Sequence, residues 1–278
     1  MTHASAAYWS LFVVTFLAVA IWESAQPKRE LAWPAGRRWG RHGLLLVIAG
    51  VISTAVFRMS PIALAAAVSG SRFGILNRPW LPFLARCVAA VILLDLVHYA
   101  THRAFHSFAI LWRVHEVHHS DPDFDVSTAG RFHPIEVVLV QGASFAAVAV
   151  LAPPPVAVFA AGVIAMLLNF FAHANSSLPK WLDAPVRAVL VTPDMHRIHH
   201  SEEIVEQSRN FGQSFVWWDR LFGTYLAEPA AGENMTTGIA GVKAVTSLGL
   251  GFMLAEPFRR SRADKATAAN VRPETGNA

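Results

Sequence analysis

The sequence predicts an all-α integral membrane protein, a helical bundle of four to five spans with a cytoplasmic helical cap that carries histidine-rich motifs. Hydrophobic residues make up 54% of the 278 residues, charged residues only 15%, and the mean hydropathy is +0.38. The apolar residues are concentrated in blocks that approach the ~20 residues needed to cross a bilayer. The single cysteine, Cys87, excludes an intrachain disulfide and a CxxC motif, so that any metal must be held by His, Asp or Glu.

The first apolar block, Tyr8–Trp22, is interpreted as a retained membrane anchor, because no basic segment precedes it and no convincing cleavage site follows. A basic loop comes next, and the positive-inside rule places that loop in the cytoplasm. The loop contains Lys28, Arg29, Arg37, Arg38 and Arg41. Gly43–Phe57 then crosses outward, residues 59–79 form an external or interfacial connection, and Leu81–Val97 crosses back.

Two further blocks, Val137–Leu151 and Val156–Ala172, flank three consecutive prolines. Proline cannot continue a helix, so these blocks predict a helical hairpin that goes out and returns. Residues 242–258 are apolar but interrupted by charge and glycine, which favours a position on the membrane surface. The predicted segments are anchor spans and connection (1–80), a histidine-bearing catalytic domain (81–228), an interfacial segment (229–258) and a disordered tail (259–278).

The net charge of +4 and the pI near 9.6 would suit nucleic-acid binding, but the positions of the basic residues indicate another role. The basic residues lie beside the apolar blocks, where they anchor helices and face lipid headgroups. We therefore expect a membrane partner and no nucleic acid.

The histidines carry the functional signal. Thirteen are present, and all except His3 and His42 lie between residues 98 and 200. His3 and His42 are expected at the surface or the membrane interface, without a role in a site. Three clusters stand out, with the spacings HxxxH, HxxHH and HxxHH: His102 and His106; His115, His118 and His119; His196, His199 and His200. On a helix, residues three or four apart share one face, so each cluster can direct its imidazoles at a common point.

Imidazole is a common ligand for zinc, iron and copper. Eight imidazoles are too many for one ion, so the clusters predict two. His173, at the end of an apolar span, is a ninth predicted ligand, and His98 and His133 are further candidates. A metal-bound imidazole usually donates its other N–H to a nearby polar group. The candidates for that second role are Asp95, Glu136, Asn175, Asp194 and Asp219. No catalytic residue separate from the metal ligands is predicted.

With these motifs the chain resembles the fatty acid hydroxylase and sterol desaturase superfamily of membrane non-haem di-iron enzymes, whose three histidine boxes match the clusters. Further segments that look like family signatures are 111–120, 131–136, 173–175 and 210–225. Some fatty acid hydroxylases carry a second histidine four residues after the one that matches His173. Here that position is Ser177, so water, His98 or His133 fills the place, or the metals are bound differently.

The resemblance implies two iron ions, O2 as co-substrate, and oxidation of a C–H bond of a sterol-like, fatty acyl or related lipid. It also implies that the electrons come from a separate reductase, ferredoxin or cytochrome. The expected localisation is the bacterial inner membrane, with the histidines on the cytoplasmic side. Hydroxylation and desaturation both begin with hydrogen abstraction, and the sequence does not distinguish them.

Two alternatives belong to other classes. A zinc-dependent membrane hydrolase uses a four-coordinate ion, which eight or nine histidines overfill, and the sequence contains no HExxH motif. A membrane metal transporter or binding protein would place its site near the middle of the bilayer, whereas most of these histidines lie in polar segments. Metal identity, O2 consumption and metal movement across vesicles discriminate among the three.

Overall fold

The computed structural model describes residues 3–71 and 73–259, which are helical apart from turns, loops and two isolated β-bridges. Seven helices build the bundle: α1 (His3–Ala25), α2 (Ala35–Phe57), α3 (Pro61–Val68), α4 (Phe83–Ser107), α5 (Ala109–His119), α6 (Pro134–Leu151) and α7 (Pro155–Ala172). Shorter helices follow: α8 (Lys180–Arg187), α9 (Pro193–His199), α10 (Ile204–Gln207), α11 (Trp217–Leu221), α12 (Ala244–Ser247) and α13 (Leu250–Ala255). Three 3₁₀ turns lie at Val126–Gly130, Gly232–Asn234 and Glu256–Phe258. The all-α prediction is confirmed, and all but the first residue of the predicted tail lies outside the described residues.

Five helical segments are long and apolar enough to cross a membrane: Ser5–Ala25, Ala35–Val68, Phe83–Ser107, Pro134–Leu151 and Pro155–Ala172. The predicted number of four to five spans is therefore confirmed at five. The helices extend beyond the apolar blocks on the histidine side of the bundle. In particular, α4 continues to Ser107 and includes His102 and His106, so that the first histidine pair lies on a spanning helix and not in a separate cap. Such residues are tolerated at this depth where they face the interior of the bundle.

Helix α4 lies at the centre of the bundle, where it packs against α5, α6 and α7. Helix α2 packs against α6 and the 3₁₀ turn Val126–Gly130, and α1 packs against α7. Large apolar side chains point outward from these helices, as at Val14, Ile21 and Val51, which are more than half exposed. An apolar exterior of this kind suits lipid, and the chain is an integral membrane protein.

The predicted hairpin is formed by α6 and α7, which are joined at the end of the bundle remote from the histidines. Helix α6 ends at Leu151, Ala152 adopts a left-handed conformation with φ of 45°, and Pro155 is the first residue of α7. Proline suits that first position because no N–H is required there. The connection after α3 covers this end, since Leu76 N–H donates to the Leu151 carbonyl over 2.8 Å.

The opposite end of the bundle carries both the histidines and the predicted basic loop. Lys28 N–H donates to the Asn175 carbonyl over 2.9 Å, and Ala32 N–H donates to Asp123 Oδ1 over 2.8 Å. The loop between α1 and α2 therefore lies directly on the segments that follow the second histidine cluster and His173. The two features share one face of the molecule.

The segment 242–258 forms short helices, none of them long enough to span a membrane. Within it, Met253 is fully buried in a small apolar cluster with Leu45 of α2 and Val117 of α5. The segment thus closes the histidine face next to α5.

Candidate metal centre

Four separate elements bring the histidine clusters together. Helix α4 supplies His102 and His106, and α5 supplies the second cluster. His173 is the residue that ends α7, and α9 with the residue after it supplies the third cluster. Histidines four residues apart, such as His115 and His119, lie on one helix face and point into the same space, whereas His118 and His199 each point away from the pair of their own cluster, into the adjoining space.

The nine histidines form two groups, within each of which the available ring nitrogens lie within 4.8 Å of one another. The first group consists of His102, His106, His115, His119 and His199. The second group consists of His118, His173, His196 and His200. The groups adjoin: the rings of His119 and His200 stack with their centroids 4.4 Å apart. The sequence-predicted set is therefore assembled as two neighbouring constellations.

The nitrogen positions fit metal ions. In the first group, His115 Nε2 lies 3.1 Å from His102 Nε2 and 3.2 Å from His119 Nε2. In the second group, His173 Nε2 lies 3.1 Å from His196 Nε2 and 3.3 Å from His118 Nε2. Three unprotonated nitrogens directed at one point repel one another unless a cation lies between them. Ligand nitrogens around one ion also lie about this far apart, given metal–nitrogen distances of about 2.0–2.1 Å.

The outward nitrogens of four histidines are fixed by hydrogen bonds. Nδ1 of His102, His173 and His199 donates to a backbone carbonyl: that of Phe211 (2.9 Å), Asn169 (2.8 Å) and Arg209 (2.7 Å), respectively. His115 Nδ1 lies 2.6 Å from Glu136 Oε1. An Nδ1–H donor leaves Nε2 unprotonated, so these bonds set the tautomer and aim the lone pair into the group.

Burial keeps these imidazoles neutral. It lowers the pKa of His115 to about 3 and that of His173 to about 4, because a charged ring would lose its hydration. Burial, reinforced by the neighbouring imidazoles, lowers the pKa well below the ordinary value for the others outside the spans: His118, His119, His196, His199 and His200. Neutral imidazole is the form that binds metal, so the site is ready to accept a cation at neutral pH.

Aromatic rings separate the second group from solvent. Phe132 stacks on His118 with ring centroids 4.5 Å apart, and Phe124 lies 5.5 Å from His173 and 5.0 Å from His200. All four histidines of this group are buried. The first group has its own cover in Trp112, next to His106 and His119, but His102 and His106 remain partly accessible.

Of the five predicted supporting residues, Glu136 contacts a grouped histidine directly. Asp219 acts one step away: it accepts from the N–H groups of Phe211 and Gly212 over 2.8 Å, and the Phe211 carbonyl holds His102. The other three support the surrounding segments. Asp95 accepts from Trp218, Asn175 binds the backbone at Arg29, and Asp194 accepts from Ser177 and Arg197.

His98 and His133 lie outside both groups. His133 caps the start of α6, where its Nδ1 accepts from Ile135 N–H over 3.2 Å. His98 lines a cavity one helical turn before His102, and its Nδ1 is buried without a hydrogen-bond partner in the described part of the chain. The structure therefore gives both residues positions different from those of the nine grouped histidines.

Sequence reasoning missed Arg38 and misplaced His42. Arg38 is not a loop residue but a fully buried side chain on α2, bound to Asp121, Asp123 and Asp125. His42 is buried as well, 1% exposed, and its Nδ1 lies 2.8 Å from Ser127 Oγ. The expectation of a surface position for His42 is wrong because α2 extends into the histidine face. One sequence signal pointed to a buried cation such as Arg38: aspartates at alternate positions, Asp121, Asp123 and Asp125, follow the second cluster, and buried carboxylates require a cation.

A cavity of about 360 Å³ opens beside both groups, between α2, α4, α6 and α7. His102 and His115 of the first group line it together with His118, His173 and His196 of the second. Its other lining is largely apolar near the groups, as at Phe105, Phe132, Val137 and Val140. The cavity continues along α2 to Gly50 and Thr54, which are exposed on the outer surface of the bundle.

Comparison with known families identifies the domain that carries this site. The fatty acid hydroxylase family model matches residues 87–224, which contain all nine grouped histidines. Residues 87–224 belong to the fatty acid hydroxylase family. Enzymes of this family are iron-dependent and use O2, and the two groups of this fatty acid hydroxylase domain can bind metal.

Several curated proteins resemble the chain. Ornithine lipid hydroxylase OlsE of Rhizobium tropici is 29% identical over 181 residues, which cover 64% of this chain and 52% of that protein. Alkylglycerol monooxygenase of Danio rerio is 35% identical over 153 residues, 54% of this chain and 30% of that protein. Methylsterol monooxygenase 1 of Rattus norvegicus is 27% identical over 157 residues, 56% of this chain and 52% of that protein. The matched part of the chain thus spans about half or less of each relative, and no solved structure matches it.

Proposed function

We propose that this chain is an O2-dependent membrane lipid hydroxylase whose nine grouped histidines hold two iron ions. One observation carries the proposal: two adjoining groups of neutral histidines open onto a single, largely apolar cavity inside a membrane bundle. The relatives support it, because each is named as a hydroxylase or a monooxygenase, and their names specify an ornithine lipid, an alkylglycerol and a methylsterol.

The proposed ligand set follows the two groups. One iron would be held by the five histidines that include His102, and the other by the four that include His118. His98 and His133 are not part of this set. Ser177, which stands where some fatty acid hydroxylases carry a further histidine, donates to Asp194 Oδ1 over 2.8 Å and thereby contacts the first turn of α9.

The overall reaction consumes O2, two electrons and two protons, and converts one lipid C–H bond to C–OH with release of one water. An unactivated C–H bond has no acidic proton and no leaving group, so acid–base groups alone cannot oxidise it. Bound iron would supply the redox chemistry that activates O2 for this step. The chain positions the reactants. Glu136 orients His115, while Phe124 and Phe132 exclude water from the four-histidine group.

The cavity fits a lipid that arrives from the side. Gly50 and Thr54 line the cavity and are also exposed on the bundle surface, which faces the hydrocarbon of the bilayer. A Cβ atom added at Gly50 would meet no other atom within 4 Å, so the mouth is open at that point. A lipid chain can therefore reach the histidine groups without leaving the membrane.

We propose that the protein lies in a bacterial inner membrane, with its histidine face on the cytoplasmic side. The start of α2 on this face still offers exposed Arg37 and Arg41 for the positive-inside rule, although Arg38 is buried in the protein. A cytoplasmic site would be accessible to a separate soluble or membrane-bound electron donor.

The test is elemental analysis of detergent-purified protein expressed with iron available, together with reductant-dependent O2 uptake on a total lipid extract. We expect about two irons per chain and uptake that lipid stimulates, followed by a hydroxylated product in mass spectrometry. Stoichiometric zinc without O2 uptake, even with a competent electron donor, would instead indicate a hydrolase. Metal movement across vesicles would indicate a transporter.

A further inference from the structure

The cavity has a second polar layer that the proposed iron ligands do not use. Its members are His98 on α4, Gln141 on α6 and Ser53 on α2, three different helices that all line the cavity. Each lies within a membrane span, where polar side chains are costly and usually functional. These side chains are therefore favourable at this position only if a bound molecule forms hydrogen bonds with them.

None of the three side chains has a hydrogen-bond partner in the described part of the chain. His98 Nδ1 is buried and has no partner, and neither Gln141 nor Ser53 makes a side-chain hydrogen bond within residues 3–71 and 73–259. Their neighbours differ in this respect. Thr101, which also lines the cavity, donates to the Val97 carbonyl over 2.7 Å, and Asn169 donates to the Ala129 carbonyl over 3.0 Å. His98, Gln141 and Ser53 thus differ from Thr101 and Asn169, although Thr54 and Gln213 also line the cavity and make no side-chain hydrogen bond in the described part of the chain.

Helix geometry places the layer at a defined depth. His98 precedes His102 by four residues, which is about 6 Å along α4, and Gln141 follows Glu136 by five residues, about 7.5 Å along α6. The end of α4 that carries His102 and the end of α6 that carries Glu136 both lie at the histidine face. His98 and Gln141 are therefore displaced toward the interior of the membrane, and they lie roughly 6–8 Å deeper than His102 and Glu136, respectively.

We propose that His98 and Gln141 form a recognition site for an oxygen-containing, hydrogen-bonding group of the lipid, such as a hydroxyl, ether or ester oxygen. This inference rests on the proposed function and names the substrate class. A purely hydrocarbon segment would leave both side chains unpaired in a largely apolar cavity, which is unfavourable. The lipid therefore carries its oxygen-containing group about 5.4 Å, the length of one helical turn, from the carbon atom that is oxidised at the histidine groups.

The experiment compares the binding of 1-hexadecanol and hexadecane, which differ only in the hydroxyl, to iron-loaded protein in detergent, measured by the ligand-dependent shift in unfolding temperature. We expect the wild-type protein to bind the alcohol more tightly than the alkane. Gln141→Leu and His98→Leu should each weaken alcohol binding about five- to tenfold, the effect of one lost hydrogen bond, and leave alkane binding unchanged. Iron content should stay at the wild-type level in both variants.

Ser144→Ala is the matched control, because Ser144 is a polar residue of the same span, its hydroxyl already donates to the Val140 carbonyl, and it does not line the cavity. It should keep the preference for the alcohol. If His98→Leu does not fold, His98→Gln, which retains a hydrogen-bonding group, replaces it and should keep both the preference and the iron.

Equal binding of the two probes by the wild-type protein, or an unchanged preference in Gln141→Leu, would overturn the proposal. Loss of iron in His98→Gln would overturn it as well, since His98 would then be a metal ligand. The measurement requires no turnover, so a failure of lipid hydroxylation, seen as absent O2 uptake, remains distinguishable from a failure of recognition.

Discussion

The guanidinium of Arg38 binds both carboxylate oxygens of Asp121, with Nη1–Oδ1 and Nη2–Oδ2 distances of 2.9 Å each, and neither side chain is exposed by more than 2%. The same guanidinium donates through Nε to Asp125 Oδ2 over 2.8 Å. Phe124 lies between Asp123 and Asp125, and its ring covers His173 and His200. Arg38 therefore fixes the loop that walls the four-histidine group.

Replacement of Arg38 should damage both stability and this group. In Arg38→Gln the buried carboxylates lose their cation, and breaking a buried ion pair costs about 3–5 kcal/mol. We expect a lower unfolding temperature in detergent and a loss of metal that affects the four-histidine group more than the other. Arg41→Gln, an exposed arginine on the same helix, is the control and should behave like wild type. Equal stability of the two variants would contradict the assigned role.

Single ligand substitutions should separate the two groups. His199 belongs to the five-histidine group and His118 to the four-histidine group. His199→Ala and His118→Ala should each reduce iron from about two per chain toward one and abolish turnover, while membrane insertion is unchanged. Metal analysis and metal-specific spectroscopy of the two variants should reveal different remaining sites. A fully active variant with full iron content would refute the ligand assignment.

Glu136→Gln should weaken metal binding without removing a ligand. The carboxylate oxygen lies 2.6 Å from His115 Nδ1, and loss of such a partner typically reduces metal affinity about 10–100-fold. Competition with a chelator measures the change. Glu228→Gln, at an exposed glutamate, is the matched control. If both variants retain iron equally well against the chelator, Glu136 does not support the metal centre.

A bulky residue at Gly50 should obstruct the cavity mouth. Gly50→Phe is expected to lower kcat/KM for lipid at least tenfold while iron content and reductant-driven O2 reduction without lipid persist. Gly40→Phe places the same side chain on an exposed part of α2 away from the cavity and should leave kcat/KM near wild type. Comparable loss in both variants would indicate damage to α2 rather than a blocked mouth.

The stability of the chelator-treated protein should depend on pH. Burial lowers the pKa of His115 to about 3 and that of His173 to about 4, below the value of about 6.5 for an unfolded histidine. Between these values the unfolded chain binds more protons, so the folded state loses stability as pH falls from about 6.5 toward 4. The unfolding temperature should be clearly lower at pH 5 than at pH 7.5. A flat profile would show that these imidazoles are not buried as neutral groups.

The sequence was sufficient for the features that local patterns encode. Apolar blocks predicted the spans, and the spacing of four residues predicted which histidine pairs converge. The expectation that a whole cluster shares one point is wrong for the second and third clusters, because His118 and His199 each belong to a different group from the other members of their cluster. Arg38 was out of reach because its partners follow about 85 residues later, and a basic residue after a span is equally typical of a headgroup contact. The role of His98 was ambiguous for a related reason: its spacing from His102 fits a ligand, and only the packing of α4 against α6 turns it toward the cavity.

The distances along the chain between the contacting groups bear on how the protein is made. Glu23 of α1 accepts from the N–H groups of Val126 and Asn175, Arg38 of α2 binds Asp121, and the last grouped histidine is His200. No early segment holds a complete group, so the centre can form only after all five spans have been synthesised and have associated. Contacts between residues so far apart form late in folding. Iron loading is therefore expected as a terminal step of biogenesis, and the appearance of bound iron would report that assembly in the membrane is finished.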